Sequence, residues 1–181
     1  MKKLLTLMAL MLVLVLAACG QTNNDADDKN NGDGDTNASE TDKAEENDDK
    51  AVKKALLNNY LDVLQTIRPL QSKINIYTGA LNDPEAEAAE ALKEEAITAA
   101  EEAVTAIDEL TVKDLDEERT AQFNEALADL KAAYEEYTTV LAAEEVDVTA
   151  AEDKITAAND KLSSLFEEAG LNDTNLAKEI M

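Results

Sequence analysis

Residues 55 to 81 read ALLNNYLDVLQTIRPLQSKINIYTGAL, and this stretch decides the fold. Within it Leu56, Tyr60, Val63, Ile67, Leu70, Ile74, Tyr77 and Leu81 recur at steps of 4-3-4-3-4-3-4. A strand alternates by two, whereas steps averaging about 3.5 put every one of these side chains on one helix face, as in the seam of a coiled coil. Pro69 lies inside the seam, where it forfeits a backbone bond and crowds the carbonyl of Gln65. A kink with the seam continuing is expected, and a break into two helices is the alternative.

Outward from this seam the same period repeats three times. Asn82 or Asp83 supplies a cap and Pro84 a first helical residue for a second helix running to about Leu110, with Ile97, Ala100, Val104 and Ile107 on one face. A third helix from near Asp114 to near Glu144 carries Phe123, Leu127, Leu130, Tyr134, Tyr137 and Leu141. Thr149 with Glu152 forms a capping-box pattern for a fourth, whose stripe is Val148, Ala151, Ile155, Ala158, Leu162, Leu165 and Ala169. Gly170 closes it as a left-handed cap, and a short terminal segment after Asp173, with Leu176 and Ile180, packs across one end. Short connections make neighbouring helices antiparallel. The fold expected is therefore all-α, an antiparallel up-down four-helix bundle with coiled-coil-like heptad packing, in one domain spanning residues 51–181.

Toward the amino terminus the composition changes. Residues Gly20 to Lys50 hold eleven acids, three lysines and no apolar residue larger than alanine, so this segment cannot bury enough surface to fold and is expected to be a disordered acidic linker. Asn31, Asp33, Gly34 and Glu40 fall at four EF-hand positions, but the first ligand position would be Lys29, and a solvated tether is the reading that stands.

Before the linker, Lys2 and Lys3 precede an apolar run from Leu4 to Ala18 broken only by Thr6. The run is short for a bilayer span, which takes about 20 residues, and right for the core of an export signal. It ends in Leu16-Ala17-Ala18-Cys19-Gly20, which resembles the lipobox of bacterial lipoproteins at every position. The resemblance implies recognition of Leu16, Ala17 and Ala18 by a signal peptidase and removal of residues 1–18. It further implies diacylglyceryl transfer to the Cys19 sulfur, followed in many members of that family, though not all, by acylation of the new amino terminus. Residues 19–50 would then be a lipidated cysteine plus linker. Two or three acyl chains, at about 0.8 kcal/mol per buried CH₂, make such an anchor effectively permanent. The Asn- and Asp-rich linker resembles in composition those of lipoproteins of low-GC Gram-positive bacteria, which implies the outer face of the cytoplasmic membrane.

Charge and missing residue types narrow the function. The chain carries −24, and taking off Lys2 and Lys3 with the leader leaves −26. Such a field excludes nucleic acid as a partner. There is no histidine and no tryptophan, and the sole cysteine is committed to lipid. The commonest acid-base residue, the usual zinc ligand and the thiol nucleophile are thus absent together. No catalytic residue, metal ligand or cofactor is assigned beyond the lipid on Cys19. The paired acids, among them Glu94-Glu95, Glu101-Glu102 and Glu135-Glu136, fall mostly off the stripes and read as solvated faces. Four tyrosines lie on the seams, and Tyr60, Tyr77, Tyr134 and Tyr137 are candidates to line a ligand cavity between the first and third helices.

The expectation is not an enzyme but a lipid-anchored interaction module that meets another exported or membrane protein or an envelope component. A small-ligand carrier or sensor using the bundle interior is the alternative from a different class, and a self-associating spacer is the third.

Overall fold

Five helices follow one another along the chain: α1 (Thr41–Ala80), α2 (Ala89–Glu109), α3 (Glu117–Ala142), α4 (Thr149–Glu168) and α5 (Leu176–Ile180). The structure, a computed structural model, describes residues 41–81 and 89–180, with side chains described for 48–81 and 90–180. The leader 1–18, the lipobox Leu16 to Cys19, the linker before residue 41 and the cap at Asn82 to Pro84 lie outside the described residues. The protein is all-helical among the described residues, and the helices pack against one another within a single compact unit, Asn37–Met181. No helix among those residues is long and apolar enough to cross a membrane.

The order of the cross-helix contacts gives the helix directions. Lys73 late in α1 reaches Glu95 early in α2 at 3.9 Å, while Asn59 early in α1 meets Lys113 just past the end of α2. Lys93 near the start of α2 donates to the carbonyls of Ala142 and Ala143 at the end of α3, and Asp108 pairs with Lys131 at 2.7 Å. Lys154 meets Glu136 at 2.6 Å and Lys161 meets Asp129 at 2.7 Å, ordering α3 and α4 the same way. From α1 to α4 the paired residues thus follow opposite orders along successive helices.

The α1 seam behaves as its spacing predicts from Leu56 to Tyr77, with Leu56, Ile67 and Ile74 fully buried, Tyr60, Val63 and Tyr77 nearly so and Leu70 half-buried. Its last member, Leu81, is instead 46% exposed, because the helix ends at Ala80. Pro69 does not divide the helix: α1 is continuous through it, with Pro69 itself on the exposed side. A larger difference lies upstream. The helix begins at Thr41, ten residues inside the stretch expected to be linker, although residues 48–51 are exposed and the first buried residue is Ala55. Nucleating a helix is costly and extending one is not, so turns packed at residues 55–77 let the acidic segment before them continue as helix.

Helix α2 turns a face of alanines inward. Ala96, Ala99, Ala100 and Ala103 are fully buried beside Ile107, whereas Ile97 and Val104, expected on the buried face, are half-buried at its edge. Small side chains let two helix backbones approach closely, and the branched residues then fill the margins. All six residues of the α3 stripe are buried. Asp116 caps this helix, its Oδ1 accepting from the Arg119 N–H at 2.9 Å, while Asp114 takes a left-handed φ of 58° in the preceding turn. The capping box expected at Thr149 does not form. Helix α4 is entered through Val148 with no side-chain cap, and the Asp147 carboxylate accepts the Thr149 N–H at 3.0 Å, since an aspartate two residues back closes the same donor in a tighter loop.

The carboxyl end of α4 is a Schellman turn. Gly170 N–H bonds the Glu167 carbonyl and Leu171 N–H bonds the Phe166 carbonyl, both at 2.8 Å, with Gly170 at φ +66°. This turn sends residues 172–180 back along α4, with α5 lying against both α1 and α4 instead of across one end. Asn159 Oδ1 holds this strap by accepting from Thr174 Oγ1 at 3.1 Å and Leu176 N–H at 2.8 Å, and Arg68 Nε donates to the Glu179 carbonyl at 2.8 Å. Leu176 and Ile180 are fully buried beneath it.

Candidate functional site

Two of the four tyrosines border described clefts, Tyr137 one and Tyr60 another. Tyr134 on α3 is fully buried, and its hydroxyl donates to Gln71 Oε1 on α1 at 2.7 Å; Gln71 Nε2 in turn donates to Asn75 Oδ1 at 2.8 Å. Helices α1 and α3 meet at Tyr134 through this bond. Tyr137 stacks beside Tyr134 with ring centres 5.7 Å apart. Burial raises the pKa of both phenols, that of Tyr134 well above its usual value, so each stays protonated in neutral solution. Tyr77 is also buried, its pKa raised by desolvation and then by the Glu90 carboxylate.

Two clefts form instead where the strap meets α1 and α4. One, of about 190 Å³, is bordered by Gln71, Asn75, Tyr137, Glu152, Ile155 and Ile180. The other is a groove of about 460 Å³ that runs along α1 from Leu57 to Leu64, with Phe166, Leu171 and the strap as its opposite bank. Tyr60 forms part of this floor. Its ring meets Phe166 edge-on at 5.5 Å, it is 5% exposed, and its hydroxyl is closed off from solvent. Burial, followed by the negative charge of Glu179, raises its pKa strongly.

Leu57 and Leu61 stand on the lip of the groove at 43% and 48% exposure. Neither belongs to the heptad seam, and both pass for surface positions in the sequence; their i, i+4 spacing is the one signal that could have marked them. The groove itself exists only because the strap returns along α4, which follows from the turn at Gly170.

The acid pairs lie outside. Glu94, Glu95, Glu101, Glu102, Glu117, Glu118, Glu135, Glu144, Glu145, Glu167 and Glu168 are exposed and Glu136 is half-buried against Lys154. Among the described residues no group of three carboxylate, thiol or imidazole side chains is placed to hold a metal. Cys19 and residues 16–18 lie outside the described residues, so the structure brings none of them to this site. No protein family, characterised protein or solved structure matches the chain.

Proposed function

We propose that this protein is a lipid-anchored, extracytoplasmic binding module that meets another exported or membrane protein through the outer face of α1 and performs no catalysis. The observation that carries the reading is the placement of exposed apolar side chains. The exposed large hydrophobics among the described residues are Leu57, Leu61, Ile76 and Leu81, all on α1 or directly after it. At about 100° per residue, Leu57, Leu61 and Ile76 share one side of the helix. Apolar surface gathered on one face of so acidic a protein is a recognition surface in the making.

The scaffold that presents it is, in this reading, an antiparallel up-down four-helix bundle with heptad packing, to which the strap is an addition. The opposed directions of successive helices and the buried seams of α1 and α3 support that arrangement. Anchoring rests on the lipobox-like Leu16-Ala17-Ala18-Cys19. Diacylglycerol on the Cys19 sulfur would hold the module on the outer face of the cytoplasmic membrane, joined through the acidic stretch before α1. Nucleic acid has no place here, given a net charge of −24.

The test is photo-crosslinking on intact cells, with the reactive group at position 61 or, as a control, at position 101, in the native form and in Cys19→Ala. A specific partner captured from position 61 of the anchored form alone is the expected result. Equal capture from both positions, or crosslinks only to a second copy, would reject the reading and leave a spacer. The 190 Å³ cleft beside Tyr137 favours a second reading, a small-ligand carrier, which thermal stabilisation by a screened compound would reveal.

A further inference from the structure

The cleft beside Tyr137 has a buried polar network at its back. Gln71 and Tyr137, 3% and 2% exposed, both border it, and with Asn75 they make one bank. Both ends of Gln71 are engaged: Oε1 accepts from Tyr134 at 2.7 Å and Nε2 donates to Asn75 Oδ1 at 2.8 Å. The same amide lies beside the Tyr137 hydroxyl. These contacts orient the groups in front of them. With its oxygen occupied, Asn75 keeps the two N–H donors of Nδ2, and Tyr137, approached by an amide N–H, keeps its own O–H. This bank calls for an oxygen acceptor.

The opposite bank, on α4, has the reverse character. Glu152 brings an exposed carboxylate whose charge is felt at Tyr137, and the Thr156 hydroxyl is turned back to donate to the Glu152 main-chain carbonyl. No lysine or arginine borders the cleft. Lys154 is paired with Glu136, Arg68 is bonded to the Glu179 carbonyl, and Lys178 is exposed outside the lining. Such a carboxylate, on a chain of net charge −24, draws a cation. Between the banks Ile155, Ala177 and Ile180 supply apolar wall.

Size limits what enters. The volume of about 190 Å³ is roughly a quarter larger than the cavity of about 150 Å³ that holds benzene, so it takes about eight heavy atoms. An anionic oxygen would satisfy Asn75 and Tyr137 but would enter against Glu152 and the overall field, so the acceptor on the ligand is neutral.

We propose that this cleft binds a small primary amine that carries a neutral carbonyl beside the amine-bearing carbon and a branched apolar body. The ammonium sits at Glu152, the carbonyl oxygen at Asn75 and Tyr137, and the apolar body on Ile155, Ala177 and Ile180. The assignment rests on the small-ligand reading and gives its ligand a chemistry; the exposed face of α1 is untouched by it.

The experiment is titration of the full chain with valinamide, followed by chemical shifts at about pH 6.5, below the ~7.7–8.0 pKa of an α-amino group. Saturable changes are expected at residues 71–75, 137, 152–156 and 177–180. Isovaleramide, which lacks the ammonium, should bind about tenfold more weakly or worse, and isobutylamine, which lacks the carboxamide, several-fold more weakly. Glu152→Gln should remove the preference for valinamide over isovaleramide, and Tyr137→Phe should lower valinamide affinity several-fold. A loss as large in Glu101→Gln would assign the binding to the general field and overturn the site. Isovaleramide bound as tightly as valinamide would overturn the ammonium and leave a carrier of neutral molecules. A screened compound of other chemistry that binds where these do not would likewise overturn the assignment and leave the small-ligand reading standing. If none of the three compounds shifts these residues and no screened compound raises the melting temperature, the cleft holds only water and the reading falls with the proposal. The peptide Val-Gly-Gly-amide separates two sources of this chemistry: binding as tight as that of valinamide assigns the cleft to peptide amino termini, and weaker binding to free amines.

Discussion

Tyr134 and Gln71, on helices that are not neighbours in sequence, are joined by a hydrogen bond of 2.7 Å in the middle of the core. Both are nearly or wholly buried, so each is the other's substitute for water. Tyr134→Phe should destabilise the protein by about 1–3 kcal/mol, the cost of leaving the Gln71 oxygen unpaired. Adding Gln71→Leu removes the orphan as well. The double variant is expected to lose less than the two singles together, read as urea midpoints at constant slope. A purely additive result would mean that the bond does not couple the two helices.

Asn59 does comparable work at the edge of the core. Its amide exchanges two hydrogen bonds with the backbone of Lys113, at 2.8 and 2.9 Å, pinning the α2–α3 connection to α1. Asn59→Ala leaves both peptide groups of that exchange open and should cost about 2 kcal/mol. Faster proteolytic cleavage between residues 110 and 116 is the local sign to look for. Cleavage elsewhere would show that the clamp is not what holds the loop.

These two residues also mark where a sequence can and cannot be read. The α3 stripe from Phe123 to Leu141 is legible because apolar side chains at a strict 4-3 step have one place to go. Gln71 and Asn59 sit one position off the α1 seam, next to Leu70 and Tyr60, where a polar residue looks like helix surface. A helix enclosed by several others buries a wider stripe than its heptad core, so these positions go inside and their amides find partners on other helices. The Leu57–Phe166 groove is less legible still. It depends on a strap whose path is set by Asn159, Thr174 and Arg68, a tertiary arrangement with no periodic signature.

The two glycines in the described helical region should respond to alanine with opposite signs. Gly79 lies within α1, and a methyl group there meets nothing within 4 Å. Gly79→Ala should stabilise by about 0.5–1 kcal/mol through helix propensity and a smaller unfolded-state entropy. At Gly170 the space is also open, with only the end of the flexible Lys53 side chain 3.5 Å away, but φ is +66°. Gly170→Ala should therefore cost about 1–2 kcal/mol, from backbone strain alone. Thermal unfolding of the two variants side by side checks the pair, and a stabilised Gly170→Ala would deny the Schellman turn its role.

Alkaline solution should unfold this protein by way of its tyrosines. Burial raises the pKa of Tyr134, Tyr137, Tyr77 and Tyr60 in the folded state above an unfolded value of 10.0. Lys131 and Lys161 are raised too, through their hydrogen bonds to Asp108 and Asp129. A group whose folded pKa is the higher one binds its proton longer in the native state. Its contribution is complete below the unfolded pKa and is lost as pH rises past it. The urea midpoint should thus be insensitive to these groups up to about pH 9 and fall steeply beyond about pH 10. Tyr134→Phe removes the most deeply buried phenol, so it should start lower at neutral pH yet fall less steeply above about pH 10. The acid side runs the other way. Asp116 and Asp147 have pKa values held below 3.8, by the Arg119 backbone N–H and by Thr149, so their contribution persists until pH drops under that value. A midpoint that fell above about pH 10 as steeply in Tyr134→Phe as in the native chain would place the alkaline transition on other groups.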